Sequence, residues 1–167
     1  KENMRPNCIL TDVGSVKTPI HEAISAKGMD ACFIGGHPMA GSEKTGYANA
    51  SDLLLENSYY ILTPGEGVPE ERLTAFTELV KSIGGIPLTM TAHDHDYTTA
   101  VISHLPHVIA ATLVNAVKKL DDPEQHMKMI AAGGFKDITR IASSSPEMWQ
   151  SICQENSANI VEVIDDY

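Results

Sequence analysis

The sequence predicts an α/β region followed by an all-α region, the first of them built on a mainly parallel sheet. Short apolar runs alternate with amphipathic helical patterns over residues 1–90, which is typical of parallel strands joined by crossover helices. Strand signals stop near Thr91, and a long, largely apolar helix pattern follows. We therefore expect one domain boundary, which divides residues 1–90 from residues 91–167.

Four short strands are expected in the first region, over residues 8–13, 31–34, 58–62 and 86–90. Gly35 and Gly36 are expected to end the second strand. Ser15 is expected to cap the helix that follows the first strand, and a second helix is expected over residues 69–83. Because open α/β sheets bind ligands at the carboxyl ends of their strands, the segments 12–15 and 35–43 predict the site.

The second region predicts helices only. Residues 100–117 form a pattern that is apolar around much of its circumference, so this helix is expected to be buried in a helical core or at a subunit interface. Pro106 lies inside it and is expected to kink or split it. Shorter helices are expected over residues 124–132, 136–142, 146–155 and 156–167.

Charge and composition argue against several classes of partner. The formal net charge of −10 disfavours nucleic acid and anionic membranes, because both require clustered Lys and Arg. No apolar run approaches the roughly 20 residues that span a bilayer, so no membrane partner is expected. The three cysteines are odd in number and lack CxxC spacing, so neither a disulfide framework nor a zinc site is expected, and a reducing cytoplasm fits best.

Two segments at strand ends carry candidate chemistry. His37 follows a glycine pair, which allows close approach to a ligand, and an imidazole suits proton removal near neutral pH; a surface loop histidine is the alternative. Gly14 and Ser15 form a strand-to-helix turn that can direct backbone N–H groups and the positive end of a helix toward a ligand. The alternative there is a capped helix with no ligand.

Three further candidates lie in the second region. His104 and His107 can share one helix face as ligand groups, or can be a hydrogen-bonded core pair. Lys136 and Arg140 are spaced to bind carboxylates, with surface salt bridges as the alternative. The run 93–96, His-Asp-His-Asp, suggests a metal site, although acidic residues at a helix start are explained equally by the helix dipole. We expect no metal.

Four of these segments together resemble the prephenate dehydrogenase family, which acts on prephenate or arogenate. They are Asp-Val-Gly-Ser-Val-Lys at 12–17, Gly-Gly-His-Pro-Met-Ala-Gly-Ser-Glu at 35–43, Ser-His-Leu-Pro-His at 103–107, and Gly-Phe-Lys-Asp-Ile-Thr-Arg-Ile-Ala at 134–142. The resemblance holds in order and approximate spacing, and it extends from about residue 8 to beyond residue 150.

This resemblance implies the C-terminal part of a Rossmann-like parallel sheet followed by a helical substrate-binding and dimerisation domain. It implies oxidative decarboxylation of prephenate to 4-hydroxyphenylpyruvate, or of arogenate to tyrosine, with hydride transfer to NAD or NADP in tyrosine biosynthesis. The enzyme is expected to be a cytoplasmic homodimer. The alternatives are a non-catalytic dimerisation or ligand-sensing module derived from such an enzyme, and another β-hydroxyacid-type dehydrogenase on the same architecture.

The resemblance also implies roles for individual residues. His37 matches the base that takes the proton of the ring hydroxyl, and Ser15 matches a serine near that hydroxyl and the nicotinamide. Arg140 matches the arginine that binds a substrate carboxylate, and His104 lies where the family lines its substrate pocket.

Weaker assignments concern the pocket mouth and the cofactor. Lys136 and Glu43 are expected to form a charged gate, and Asp12, Gly14 and Ser15 are expected to contact the cofactor. One departure from the family is large, because the Gly-x-Gly-x-x-Gly turn of a dinucleotide site is not found. We therefore expect a preceding segment of roughly 70 to 100 residues, without which the chain binds cofactor poorly.

Overall fold

The computed structural model describes residues 4–5, 7–41 and 46–167 of the chain. The chain divides into two compact units, Lys1–Tyr97 and Thr98–Tyr167. The first unit combines strands with helices, whereas the described elements of the second are all helical. The predicted succession of an α/β region and an all-α region is therefore confirmed.

The first unit contains three strands and three helices, with two short 3₁₀ turns at Asp30–Cys32 and Tyr47–Asn49 among its described residues. Helix α3 extends two residues past the boundary between the units. The elements are α1 (Thr18–Ser25), β1 (Ile34–Pro38), β2 (Tyr59–Pro64), α2 (Glu70–Ser82), β3 (Ile86–Thr89) and α3 (Ala92–Thr99).

The sheet of the first unit is mixed, whereas the sequence predicted a mainly parallel one. Its order is β1-β2-β3, with β1 antiparallel to β2 and β2 parallel to β3. The described part of the connection between β1 and β2 contains only the 3₁₀ turn at Tyr47–Asn49. A parallel pair needs a crossover of a dozen or more residues, usually helical, whereas this connection returns the chain in the opposite direction.

Two predicted strands differ from the structure. The strand expected over residues 8–13 is reduced to one parallel bridge, between Leu10 and Phe33. The next strand begins three residues later than expected and runs through the two glycines that were expected to end it. A Cβ atom on Gly35 would collide with the side-chain oxygen of Thr63, and one on Gly36 would lie 2.6 Å from the carbonyl oxygen of Asp12. The glycines therefore allow close packing within the sheet region.

The core of the first unit lies between the sheet and α2. Ile34, Tyr60 and Leu62 from the sheet contact Phe76 and Val80 from the helix, and all five are buried. The rings of Tyr60 and Phe76 meet edge to face, with centroids 6.4 Å apart. Each large apolar side chain buried in this way contributes roughly 1.5–3 kcal/mol. This packing holds β1 in place, and with it His37 near its end.

The second unit begins with the longest helical stretch. After α3 the chain forms a π-helical turn, Ala100–His104, before α4 (Leu105–Leu120). Pro106 is the second residue of α4 and follows the π-helical turn directly, within a helical stretch that continues from Ala92 to Leu120. The helix is not split at this proline; its type changes from π to α just before it. The remaining helices are α5 (His126–Ile130), α6 (Gly133–Thr139), α7 (Pro146–Glu155) and α8 (Ser157–Asp166), with a 3₁₀ turn at Arg140–Ser143.

The core of the second unit is small. Ala100 and Leu105 pack against Ile160 and Val163 of α8, and these four residues are buried. Many large apolar side chains of this unit are exposed in the single chain, among them Ile102 at 62%, Leu120 at 68%, Met129 at 65% and Ile130 at 79%. Of the two predicted environments for the long helix, a subunit interface fits these exposed residues better than a filled core.

Residues Ala92–Leu120 form 29 helical residues whose most apolar 18-residue window has a mean hydropathy of 1.5. By length and composition this helix is able to cross a membrane, which differs from our expectation that no run would be long enough. The sequence shows no continuous apolar run because histidines and Asp96 interrupt it. Core helices of soluble proteins pass the same test, so this property alone does not indicate a membrane protein.

Gly36→Ala is predicted to lower the free energy of unfolding of the first unit by about 1–3 kcal/mol, the usual cost of overpacking. The added methyl would lie 2.6 Å from the Asp12 carbonyl oxygen and 3.0 Å from the Tyr60 ring. Gly41→Ala is the matched control, because a Cβ there meets no residue that the structure describes within 4 Å. Chemical denaturation measures both variants, and an equal effect of the two would contradict the packing argument.

Candidate functional site

The carboxylate of Asp12 joins the strand-to-helix turn to strand β1. It accepts hydrogen bonds from the amide of Gly14 at 2.7 Å and from the amide of Gly36 at 3.2 Å. It also forms an ion pair with the ammonium of Lys17. Since Gly36 immediately precedes His37, these contacts fix the backbone at the candidate base.

Lys17 is fully buried, which is unusual for a lysine and was not anticipated from the sequence. Its ammonium bonds the Asp12 carboxylate and donates to the carbonyl oxygen of Gly36 at 2.7 Å. Burial lowers the pKa of Lys17, although Asp12 and Asp96 oppose that change. Removing either member of such a buried pair leaves an uncompensated charge, so the pair constrains the turn strongly.

Helix α1 is capped by Asp96, which is distant in sequence, and not by Ser15 as predicted. One carboxylate oxygen of Asp96 accepts from the amide of Lys17 and the other from the amide of Thr18, each at 2.7 Å. Ser15 stands two residues before the cap residue Lys17, whose own side chain forms no cap bond. These amides therefore bond within the protein. The expectation that the N–H groups at the start of this helix point at a ligand is not met for these two amides.

The same carboxylate begins a chain of hydrogen bonds that reaches His37. Asp96 Oδ1 lies 2.7 Å from His95 Nδ1, and His95 Nε2 lies 2.7 Å from His37 Nδ1. His95 is 0% exposed and Asp96 1%, whereas His37 is only partly buried. Burial alone would raise the pKa of Asp96, but hydrogen bonds from His95, Thr18 and Lys17 together lower it. Asp96 is therefore an ionised acceptor at neutral pH.

This arrangement explains the His-Asp-His-Asp run at residues 93–96. His95 and Asp96 are engaged in the hydrogen-bond chain, whereas the side chains of His93 and Asp94 are 80% and 66% exposed. Among the described residues, ligand atoms within 4.8 Å of one another occur at Asp122, Glu124 and His126 instead. There Asp122 accepts from both the ring and the backbone amide of His126. That contact fixes the start of α5.

In the second unit, His104 is buried and hydrogen-bonded. Its Nδ1 lies 3.0 Å from the side-chain nitrogen of Asn156, so this histidine has the polar partner that its burial requires. His107 stacks on Trp149 with ring centroids 3.5 Å apart and planes 4° from parallel. Burial lowers the pKa of His107, which favours the neutral ring. The sequence singled out His107 by its spacing to His104, but it gave no signal for Trp149.

The predicted carboxylate-binding cations lie one helical turn apart in sequence. Lys136 belongs to α6 and Arg140 begins the 3₁₀ turn that follows it, and both are exposed. Neither forms an ion pair with another residue that the structure describes, so the predicted surface salt bridges are not observed there. The glycine pair before Lys136 lies inside α6, not before it as expected. Glu43 lies outside the described residues.

A cavity of about 570 Å³ also lies in the second unit. It is lined by residues of α4, of the turn that follows it, and of α5 and α6, including Val114, Val117, Lys118 and Phe135. Its lining includes none of Lys136, Arg140 and His104. The cavity is therefore not formed by the predicted substrate-binding side chains.

Comparison with known proteins agrees with this division into two parts. Residues 1–87 match the model of the prephenate dehydrogenase nucleotide-binding domain, and residues 91–167 match the model of the prephenate dehydrogenase dimerization domain. The chain belongs to the prephenate dehydrogenase family. The Rossmann-like assignment made from the sequence is thereby confirmed.

Three members of this family illustrate the similarity. Prephenate dehydrogenase of Bacillus subtilis (strain 168) is 42% identical over 160 residues, which are 95% of this chain and 43% of that protein. The crystal structure of prephenate dehydrogenase from A. aeolicus in complex with hydroxyphenyl propionate and NAD+ has a TM-score of 0.87 and 38% identity, over 95% of this chain and 55% of that one. Synechocystis arogenate dehydrogenase has a TM-score of 0.85 and 33% identity, over 99% and 60%. The chain thus spans about half the length of these relatives.

Asp96→Ala is predicted to lower the free energy of unfolding by about 2 kcal/mol at neutral pH, because two helix amides and His95 lose their acceptor. The folded-state pKa of Asp96 is lowered, so its stabilisation is complete above the ordinary aspartate value of about 3.9. It is lost as the pH falls through the folded-state pKa. The difference between wild type and variant should therefore shrink in acid.

Asp94→Ala is the matched control for this prediction, because Asp94 is on the same helix turn but exposed. It should change stability by less than about 1 kcal/mol. Denaturant titrations at neutral and acid pH measure both variants. A loss in Asp96→Ala that stays constant into acid would show that the carboxylate charge is not the stabilising feature.

Proposed function

We propose that the full-length protein carrying this sequence oxidatively decarboxylates prephenate to 4-hydroxyphenylpyruvate with NAD+ or NADP+, as a cytoplasmic enzyme of tyrosine biosynthesis. The observation that carries this proposal is that residues 1–87 and 91–167 match the two domain models of one family. We also propose that residues 1–90 complete the dinucleotide-binding domain and that residues 91–167 bind substrate and form the dimer.

His37 is the proposed base of this reaction. A proton leaves the ring hydroxyl for His37 as a hydride leaves the same ring carbon, and a carbonyl forms there. The bond between the ring and its carboxylate then breaks, CO2 departs, and the electron pair of that bond makes the ring aromatic. The oxygen regains its proton from His37, so no net proton is released. General-base assistance of this kind contributes roughly 10²- to 10⁴-fold.

The nicotinamide ring supplies the hydride acceptor when it is bound. The turn of residues 12–15 fits a planar, partly apolar ring, because Val13 is 67% exposed and Ser15 is only half-buried. We propose that Ser15 contacts the cofactor and the reacting hydroxyl. Asp12 and Gly14, proposed as cofactor contacts too, hydrogen-bond each other and thereby shape this turn.

The substrate site requires cationic side chains, because prephenate carries two carboxylates and the chain itself has a formal charge of −10. We propose that Arg140 binds one carboxylate in a bidentate fork, because its guanidinium is exposed and forms no ion pair with a described residue. Lys136 and Glu43 are proposed to form a charged gate. The buried His104, oriented by Asn156, is proposed to line the substrate pocket.

Homodimerisation through the second unit is proposed from its apolar surface. Ile102, Leu120, Met129 and Ile130 are each more than 60% exposed in the single chain. Apolar surface of this kind is characteristic of a subunit interface. The family model that matches residues 91–167 is described as a dimerization domain, which supports the same assignment.

Arogenate is the second candidate substrate. It differs from prephenate in carrying an amino acid side chain in place of a keto acid, and the ring chemistry is unchanged. The similarity to Synechocystis arogenate dehydrogenase, 33% identical with a TM-score of 0.85, supports it. The residues proposed for proton transfer serve either substrate.

The decisive experiment assays the full-length protein with prephenate and with arogenate, each with NAD+ and with NADP+. We expect reduced nicotinamide and CO2 to form in equal amounts with prephenate and at least one cofactor. Turnover with arogenate alone would favour the second candidate. No turnover in all four combinations would contradict the proposed enzyme and favour a ligand-sensing module.

His37→Asn is predicted to lower kcat by roughly 10²-fold or more and to leave KM largely unchanged, because the amide has no basic lone pair for the hydroxyl proton. His93→Asn is the matched control, since His93 is 80% exposed and lies outside the proposed site. Steady-state kinetics on both variants measure the effect. An unchanged kcat in His37→Asn would remove His37 from the mechanism.

A further inference from the structure

We propose that His95 and Asp96 are positioning residues that fix the tautomer of His37, so that Nε2 of His37 carries the lone pair for the substrate proton. The catalytic part of this proposal rests on the proposed function, whereas the tautomer of His37 is a property of the folded protein. Neither residue belongs to the set that the sequence identified for catalysis or for substrate or cofactor binding.

Asp96 determines the direction of every bond in the chain. Both of its oxygens accept from backbone amides, those of Lys17 and Thr18, and an amide N–H can only donate. A carboxylate in this position is an ionised acceptor on both oxygens. The ring nitrogen of His95 that lies 2.7 Å from Asp96 Oδ1 must therefore be the donor.

The proton on Nδ1 of His95 then defines its other nitrogen. A neutral imidazole carries one N–H, so Nε2 of His95 holds a lone pair and accepts. The nitrogen facing it at 2.7 Å is Nδ1 of His37, which must be the donor. His37 is thereby protonated on Nδ1, and its lone pair lies on Nε2. This is the tautomer that a base needs if the hydroxyl approaches Nε2.

The same chain stabilises the charge that develops during catalysis. When His37 takes the proton it becomes an imidazolium that still donates from Nδ1 to His95, and His95 donates to the carboxylate of Asp96. Because His95 is 0% exposed and Asp96 1%, water does not compete for these bonds. An acid–base histidine oriented by a buried carboxylate follows the logic of a catalytic triad, here with a second histidine between the two.

The hydrogen-bond chain is rigid because Asp96, at its end, is held in place by backbone groups. Asp96 is held by the first amides of α1, and the rings of His37 and His95 are further oriented by an edge contact, with centroids 5.0 Å apart and planes at 64°. His37 itself stands on a paired strand, opposite Ile61. Each of the three groups is thus fixed by backbone structure.

Nuclear magnetic resonance of the ¹⁵N-labelled chain at pH 8 tests the tautomer directly, since two-bond ring correlations distinguish a protonated nitrogen from a bare one. His37→Asn identifies the His37 signals. We expect His37 and His95 each to be protonated on Nδ1 and bare on Nε2. His37 protonated on Nε2, or His95 protonated on both nitrogens, would overturn the proposal whether or not the protein is a dehydrogenase.

Substitutions at His95 test the positioning role in the full-length enzyme. His95→Leu removes the acceptor for His37 and should lower kcat roughly 10- to 100-fold with KM changed less than about twofold. His95→Gln places an amide oxygen near the position of Nε2 and should restore most of kcat and the Nδ1-protonated form of His37. His93→Leu, on the same helix but exposed, should leave kcat and the tautomer as in wild type.

The outcomes separate two kinds of failure. If the full-length protein turns over no substrate, the proposed function fails, and the tautomer measurement still decides the inference. If it turns over substrate while His95→Leu retains full kcat or an unchanged His37 tautomer, the inference fails and the function stands. Should His95→Leu fail to fold, His95→Gln decides. A kcat that follows the His37 tautomer, whether both are retained or both are lost, supports the positioning role. A kcat that is retained with His37 protonated on Nε2, or lost with His37 protonated on Nδ1, overturns it.

Discussion

The carboxylate of Asp96 is the interaction on which the candidate site depends. It accepts from the amides of Lys17 and Thr18 and from the ring of His95, and it thereby links the start of α1, the start of α3 and the end of β1. A buried carboxylate without these donors would be strongly destabilising, and the helix amides without an acceptor would be unsatisfied. Each group supplies what the other lacks, so the capping of a helix and the orientation of the imidazole proposed as the base become one structural requirement.

A second requirement is close approach of the backbone around His37. The pair Gly35–Gly36 lies within β1 because side chains there would meet Thr63 and the carbonyl of Asp12. Gly36 donates its amide to Asp12 and offers its carbonyl to the buried ammonium of Lys17. His37 is therefore held by strand pairing on one side and by the buried ion pair on the other. A paired strand positions a side chain more firmly than a surface loop does.

Much of the fold could be predicted because hydrophobic periodicity is a local signal. Helix α2 was expected over 69–83 and is observed as Glu70–Ser82, and the last strand was expected over 86–90 and is observed as Ile86–Thr89. The prediction of a mainly parallel sheet was wrong for the β1–β2 pair, because periodicity shows that a strand exists but not whether its partner runs parallel or antiparallel to it. The predicted cap of α1 was wrong because Ser15 is a good local candidate, whereas the actual acceptor, Asp96, is 79 residues away along the chain.

The resemblance to family motifs identified His37, but its hydrogen-bond partners His95 and Asp96 lay inside a run that suggested metal binding. Their burial on one side of α3, with Thr99 one turn later, is a feature of the structure and not of the sequence.

The proposed reaction releases no net proton, which explains why the hydrogen-bond chain from His37 ends in the protein interior. The hydroxyl proton goes to His37 and returns to the same oxygen once the ring is aromatic, so no proton needs to leave the site. A route to solvent would serve no purpose, and water would weaken the hydrogen bonds that stabilise the transient imidazolium. The chain from His37 through His95 ends at a carboxylate whose two oxygens are bound to backbone amides. Such an arrangement polarises the base and holds its tautomer without conducting the proton away, which is the requirement of a step that takes a proton only briefly.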